Sequence, residues 1–229
     1  MKKTLLFLLF GLTSTTMAFA QARPGGSLTS KDYTGGKSSE SGNTGFGVKG
    51  GYNFSRPYGD GITNVSAYHN FHAGMYGQFG FNDFSSVMVE LLYNRKGYNS
   101  DIRGANVPTA TKTTRLDYVE LPILYVANIT SNFSVHVGPQ VSLLILAKQG
   151  DANLGLAEKG FNTVDYGGIV GAAFRVGPAQ LGARYDLSFG RIFDINKSYP
   201  DVNGGTTSST PPSVHNQVVQ LYVALGVHQ

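Results

Sequence analysis

Between Val164 and Arg191 two extended segments of alternating character meet at Gly177-Pro178, and few folds accept such a pair. In the second segment Leu181, Ala183, Tyr185, Leu187 and Phe189 alternate with Gly182, Arg184, Asp186 and Ser188. In the first, Val164, Tyr166, Val170, Ala172, Phe174 and Val176 share one face, against Asp165, Gly167, Gly171, Ala173 and Arg175. Strand side chains point alternately to opposite faces, so a period of two predicts a hairpin with one apolar face and one polar or small face. Each arm runs about 12 residues, against roughly 5 to 6 for an ordinary strand. A sheet surface that long and that apolar must be covered by something.

The pattern recurs along the chain. Strands are predicted over 44–54, 69–81, 84–98, 114–128, 132–147, 164–176, 179–191 and 214–227. Phe133, Val135, Val137, Val141, Leu143 and Ile145 alternate with Ser134, His136, Gly138, Gln140 and Ser142, and Val219, Leu221, Val223, Leu225 and Val227 with Gln220, Tyr222, Ala224 and Gly226. Pro122 and Pro139 fall inside predicted strands and are read as bulges or local breaks, because proline has no N–H for the ladder. The connections sort by length. Tight turns at Asn82-Asp83, Ile129 to Ser131 and Gly177-Pro178 alternate with long polar stretches over 55–68, 99–113, 148–163 and 192–213.

Strict alternation of short and long connections is the habit of outer-membrane barrels, which put turns in the periplasm and loops outside. The apolar face carries Phe46, Phe81, Phe133 and Phe174 at the short-turn end and Phe54, Phe71, Tyr93, Tyr166 and Phe189 at the long-loop end. Two such rings flank a band about 20 to 25 Å tall, as aromatic girdles do. The other face mixes ions of both signs with glycine, which suits a crowded interior where charges pair. Charged residues make up only 14% of the chain, too few for a water-facing exterior. The fold class that follows is all-β: a single eight-stranded antiparallel up-and-down transmembrane β-barrel over 44–229, with short periplasmic turns and long extracellular loops. Closure satisfies every backbone group in lipid and leaves no edge. The competing reading is a soluble lipocalin-like ligand carrier, which alternates in the same way but keeps its apolar side inward.

The first twenty residues read as a cleaved signal peptide: basic Lys2 and Lys3, an apolar run from Leu5 to Leu12, and Ala18-Phe19-Ala20 before cleavage between Ala20 and Gln21. Residues 21–43 are rich in Gly, Ser, Thr and Lys and predict a flexible N-terminal arm. An even strand count then puts both termini in the periplasm of an exported, outer-membrane protein. Without Lys2 and Lys3 the formal charge falls from +4 to +2, too small to indicate nucleic acid. The chain has no cysteine, so it has no disulfide, thiol nucleophile or lipidated cysteine.

Chemistry is sparse. Of the five histidines, His69 and His72 are three apart and so on opposite faces of a strand, with His136 on another, which argues against a metal site. No serine, histidine and acid gather as a hydrolase requires, and no cofactor motif is present, so the expectation is non-enzymatic. Lys49, Glu90, Glu120, Arg175, Arg184 and Asp186 are the expected polar network of the barrel interior. Glu90 and Glu120 could in principle do acid–base work, but pairing with those cations is the favoured reading. Arg95, Lys96, Arg103, Lys112 and Arg115 cluster around the second long loop, as candidates for contact with lipopolysaccharide phosphates.

Several stretches together resemble the PorT-like outer-membrane β-barrel family of Bacteroidota. They are Gly50-Gly51-Tyr52-Asn53-Phe54-Ser55, the segment from Glu90-Leu91-Leu92-Tyr93 to Lys96-Gly97, Leu116-Asp117-Tyr118-Val119-Glu120-Leu121-Pro122, and Gly138-Pro139-Gln140. Gly182-Ala183-Arg184-Tyr185-Asp186-Leu187 and the strand opening at His215-Asn216-Gln217 are similar to its closing hairpin. The chain departs from the family's usual ending, finishing Val227-His228-Gln229 rather than on an aromatic residue. The resemblance implies an eight-stranded outer-membrane barrel. It implies no single activity, although the family takes its name from a member involved in type IX protein secretion. The expected role is structural or partner- and lipopolysaccharide-binding, with an accessory part in type IX secretion or a narrow pore as alternatives. The expected partners are outer-membrane lipid, the barrel-assembly machinery during biogenesis and secretion-system proteins.

Overall fold

The computed structural model describes residues 44–59, 65–104, 107–150, 152–154, 160–193, 199–200, 206–207 and 213–228. Residues 1–43, with the expected signal peptide, the Ala20-Gln21 cleavage point and the arm, lie outside the described residues. In chain order the strands are β1 (Gly45–Gly59), β2 (Val65–Gly80), β3 (Ser85–Gly104), β4 (Val107–Asn128), β5 (Phe133–Gln149), β6 (Ala152–Leu154), β7 (Val164–Val176), β8 (Ala179–Ser188), β9 (Tyr199–Pro200), β10 (Thr206–Thr207) and β11 (Val214–His228). Eight of them close a barrel. Their order is β4-β3-β2-β1-β11-β8-β7-β5, every neighbouring pair is antiparallel, and β4 pairs with β5 to complete the ring. The seam runs from Gly45 opposite His228 to Gly59 opposite Val214.

The apolar face is outward. Val48, Met75, Leu121, Val141, Leu181 and Val223 are all exposed, whereas Lys49, Glu90, Glu120 and Arg184 are buried. This orientation excludes the soluble carrier, whose apolar residues would line a cavity. The girdle residues Phe46, Phe81, Phe133 and Phe174 at one end and Phe54, Phe71, Tyr166 and Phe189 at the other are exposed as well.

Two expectations are corrected and one, on the prolines, is narrowed. First, the strands run on into the connections: β1 and β2 take up much of 55–68, and β3 and β4 form a hairpin through most of 99–113. Over 99–113 the sequence is polar and shows no apolar alternation, yet backbone pairing continues beyond the apolar band. Second, of the two readings of the prolines, a bulge or a local break, both take the local break. Pairing between β3 and β4 lapses from Val89–Ile123 to Leu92–Glu120, and between β4 and β5 from Pro122–Gln140 to Tyr125–Val137, but the register is unchanged across both gaps. Pro122 therefore gives a local break only, and the β4–β5 register shift falls between Asp117 and Tyr118.

Third, the interior is not uniformly polar. At the short-turn end Tyr76, Met88, Leu124, Val126, Ile169 and Tyr222 pack into one buried apolar cluster. At the long-loop end Leu116, Tyr118 and Leu144 pack with Leu154, Phe161, Ile192 and Phe193, which come from connections expected to be polar. Phe161 and Phe193 pair as an isolated bridge with ring centroids 5.4 Å apart, and both are buried in this cluster. An eight-stranded barrel is just wide enough for side chains to fill it, and here apolar layers fill both ends.

Candidate functional site

Between the two apolar layers lies an ionic tier. Inward positions come at every second residue, so Glu90 and Asn94 of β3, Glu120 of β4 and Arg184 and Asp186 of β8 project to the axis together. Glu90 accepts from Lys49 through one carboxylate oxygen, and from Arg184 Nη1 at 2.6 Å through the other. Lys96 Nζ donates to Asp186 Oδ2 at 2.7 Å and lies 3.2 Å from Glu120 Oε2. Asn94 Nδ2 also donates to Glu120 Oε2, at 2.8 Å, and Arg184 Nε donates to Gln220. The Lys49 ammonium stands 4.0 Å from the centre of the Tyr222 ring. Three cations and three carboxylates thus face one another in pairs, which offsets the desolvation each would suffer alone.

Of the expected network, Lys49, Glu90, Glu120, Arg184 and Asp186 are gathered in this tier. Arg175 is not. It is half-buried beside Tyr76, Gln78 and Gln180 at the short-turn end, two turns of the alternation below Gly171 on β7, out of reach of the carboxylates. The tier also holds members that were not anticipated. Lys96 is fully buried and belongs here rather than with the loop cations, which corrects its assignment to lipopolysaccharide contact. Its parity with Glu90 and Asn94 carried that signal. Asp165 is a fourth inward carboxylate, whose Oδ2 accepts from Ser188 Oγ at 2.7 Å. Glu120 Oε1, Gln140 Oε1, Ser142 Oγ and Asp165 Oδ1 have no hydrogen-bond partner among the described residues, a pattern that buried water commonly satisfies. Both oxygens of Glu90 are occupied by cations, so it is poorly placed to accept a proton from a substrate. Among the described residues no group of three or more metal-ligating side chains occurs, and His69 is exposed while His72 is buried, on opposite faces of β2.

The loop cations divide between two places. Arg95 and Arg115 project outward and share Asp117, which accepts from Arg95 Nε at 3.1 Å and from Arg115 Nε at 2.8 Å, with a second bond from Arg115 Nη2. Both guanidiniums also donate to the Tyr93 hydroxyl, at 3.1 and 3.2 Å. The Arg95 guanidinium sits 4.7 Å from the centre of the Phe71 ring. Lys148 of β5 stands directly opposite Arg115, so it faces the same way. Sequence reading missed Asp117 and Lys148 as members of this cluster, although both sit where the apolar alternation of β4 and β5 stops. Lys112 is half-buried farther along the hairpin, opposite Ser100, and the side chain of Arg103 lies outside the described residues.

A family model described as "Outer membrane protein beta-barrel domain" matches residues 19–194. No curated protein matches the chain. Among solved structures, Neisserial surface protein A is similar with a TM-score of 0.50 at 14% identity, over 79% of this chain and 96% of that one. Ail, the attachment invasion locus protein of Yersinia pestis, gives a TM-score of 0.45 at 11% identity, over 81% of this chain and 99% of Ail. At such identities the likeness extends to the fold alone.

Proposed function

The chain belongs to the outer membrane protein beta-barrel domain family, and from that premise we propose that it is a sealed, non-enzymatic membrane barrel acting through its surface and its lipid contacts. The observation that carries this reading is the layered interior. Buried apolar clusters lie at both ends of the ionic tier, and among the described residues side chains fill the axis where a water-filled path or a substrate cavity would run. A pore needs such a path, and an acid–base site needs a carboxylate that a substrate can reach, whereas Glu90, Glu120, Asp165 and Asp186 are all buried. The short turns face the periplasm in this reading, together with both termini, and the long-loop end lies in the outer leaflet. Planar-bilayer recording of the purified barrel is the test. Silence is expected, and stepwise single-channel currents would overturn the sealed barrel.

The PorT-like features of the sequence support a narrower version, in which the surface engages secretion machinery. Deletion of the gene in its own host would then reduce the amount of secreted effector protein in the medium. Unchanged secretion would remove that version and leave the sealed barrel standing.

A further inference from the structure

The outward cations mark a depth in the membrane. On β3 the outward residues Val87, Val89, Leu91 and Tyr93 give way to Arg95, on β4 Tyr125, Ile123, Leu121 and Val119 give way to Asp117 and Arg115, and on β5 Val141, Leu143 and Ile145 give way to Lys148. From Val87 to Arg95 a tilted strand climbs about 20 Å, close to the height of the apolar band of a barrel. The charges therefore begin where acyl chains end, at the level of Phe71 and Tyr93.

From this we infer a binding site for the phosphates of an outer-leaflet glycolipid of the lipopolysaccharide type, formed by Arg95, Arg115 and Lys148. It deepens the reading of a barrel that acts through its lipid contacts, and rests on the long-loop end lying in the outer leaflet. Four observations converge on it. Asp117 is covered by the two arginines, with only 2% of its side chain exposed, while 20% of the Arg95 and 27% of the Arg115 side chain remain open. Their Nε and Nη2 atoms are committed to Asp117 and Tyr93, and the Nη1 atoms have no hydrogen-bond partner among the described residues. The carboxylate and the phenol thus hold two guanidiniums in fixed orientation while leaving donors for an anion, as phosphate recognition requires. The cluster of three cations and one carboxylate keeps a surplus of positive charge at a lipid-facing surface. Finally, the two guanidiniums converge on Asp117 and Tyr93, while Lys148 stands on the next strand, its backbone about 5 Å from that of Arg115. The paired guanidiniums suit one phosphate, and the lysine on the neighbouring strand suits a second on the same headgroup.

The test uses the full-length barrel in detergent micelles, titrated with bis-phosphorylated lipid A and followed by native mass spectrometry. Lipid A is expected to stay bound, and the same lipid stripped of both phosphates to bind at least about tenfold more weakly, the loss typical of charge-assisted hydrogen bonds. The double variant Arg95→Gln with Lys148→Gln should lose a similar factor, and the mobility of unboiled samples on gels shows whether it is folded. If that variant fails to fold, Lys148→Gln alone is titrated, and unchanged lipid A affinity overturns the site. Equal binding of the phosphate-free lipid also overturns it, as does equal binding of phosphatidylglycerol. Displacement by millimolar inorganic phosphate would show a free-phosphate pocket instead. Conductance of the same preparation reports separately on the sealed interior, so the two readings fail independently.

Discussion

Replacing Lys96 with Met removes the one cation that two carboxylates share. All three side chains are fully buried, and the ammonium lies 2.7 Å from Asp186 and 3.2 Å from Glu120. At an effective dielectric constant of about 20 these distances correspond to gross attractions of about 6 and 5 kcal/mol. Desolvation of the lysine, several kcal/mol, offsets part of that. The remainder agrees with the roughly 3 to 5 kcal/mol measured when one partner of a buried pair is deleted. Because Asp186 and Glu120 are both left fully buried, the upper end applies, and the folding equilibrium should shift by between three and four powers of ten at about 1.4 kcal/mol each. Urea titration of the barrel in lipid vesicles, scored by the mobility of unboiled samples on gels, measures the loss. A triple variant that also carries Glu120→Gln and Asp186→Asn removes both carboxylates stranded by the loss of Lys96 and should recover more than half of it. If Lys96→Met unfolds within about 1 kcal/mol of the parent, or if the triple variant is the weaker of the two, the ionic tier does not hold the barrel as argued.

Two further substitutions probe the faces. Leu121→Arg places a charge in the middle of the outward apolar run of β4 and should cost about 2 to 4 kcal/mol in the same titration, while a loss below about 1 kcal/mol would mean that this face meets water. A methyl group added at Gly171 would lie 2.5 Å from His136 Nε2 and 2.6 Å from Arg184 Cβ, so Gly171→Ala should destabilise by about 1 to 3 kcal/mol, whereas Gly168→Ala, whose nearest neighbour is 3.9 Å away, should be close to neutral.

The wall of the barrel was legible in the sequence because lipid imposes a single demand on every second residue. Val135, Leu143, Leu221 and Val223 could be assigned to the exterior one strand at a time. The interior obeys no such single demand. Leu92, Leu116 and Ile169 share the inward face with Glu90 and Asp186, so an apolar residue alone does not say which tier it fills. Lys96 was grouped with its sequence neighbours Arg95 and Arg103 when its parity with Glu90 places it within. The shift between Asp117 and Tyr118 was invisible for another reason: a bulge changes which residue is opposite which, and that depends on the partner strand. Leu154, Phe161, Ile192 and Phe193 were isolated apolar residues in polar surroundings, and only the closed ring gives them a common surface to cover.

The bonds of the ionic tier join distant parts of the chain. Arg184 meets a carboxylate 94 positions earlier and Lys96 meets one 90 positions later, in each case between β3 and β8, which are not neighbours in the wall. A sheet that has curled only partway would leave Arg184 and Asp186 of β8 without these partners. Closure and charge pairing are therefore bound together: the cylinder is cross-braced through its own axis, and β8 completes ionic contacts that β3 opened.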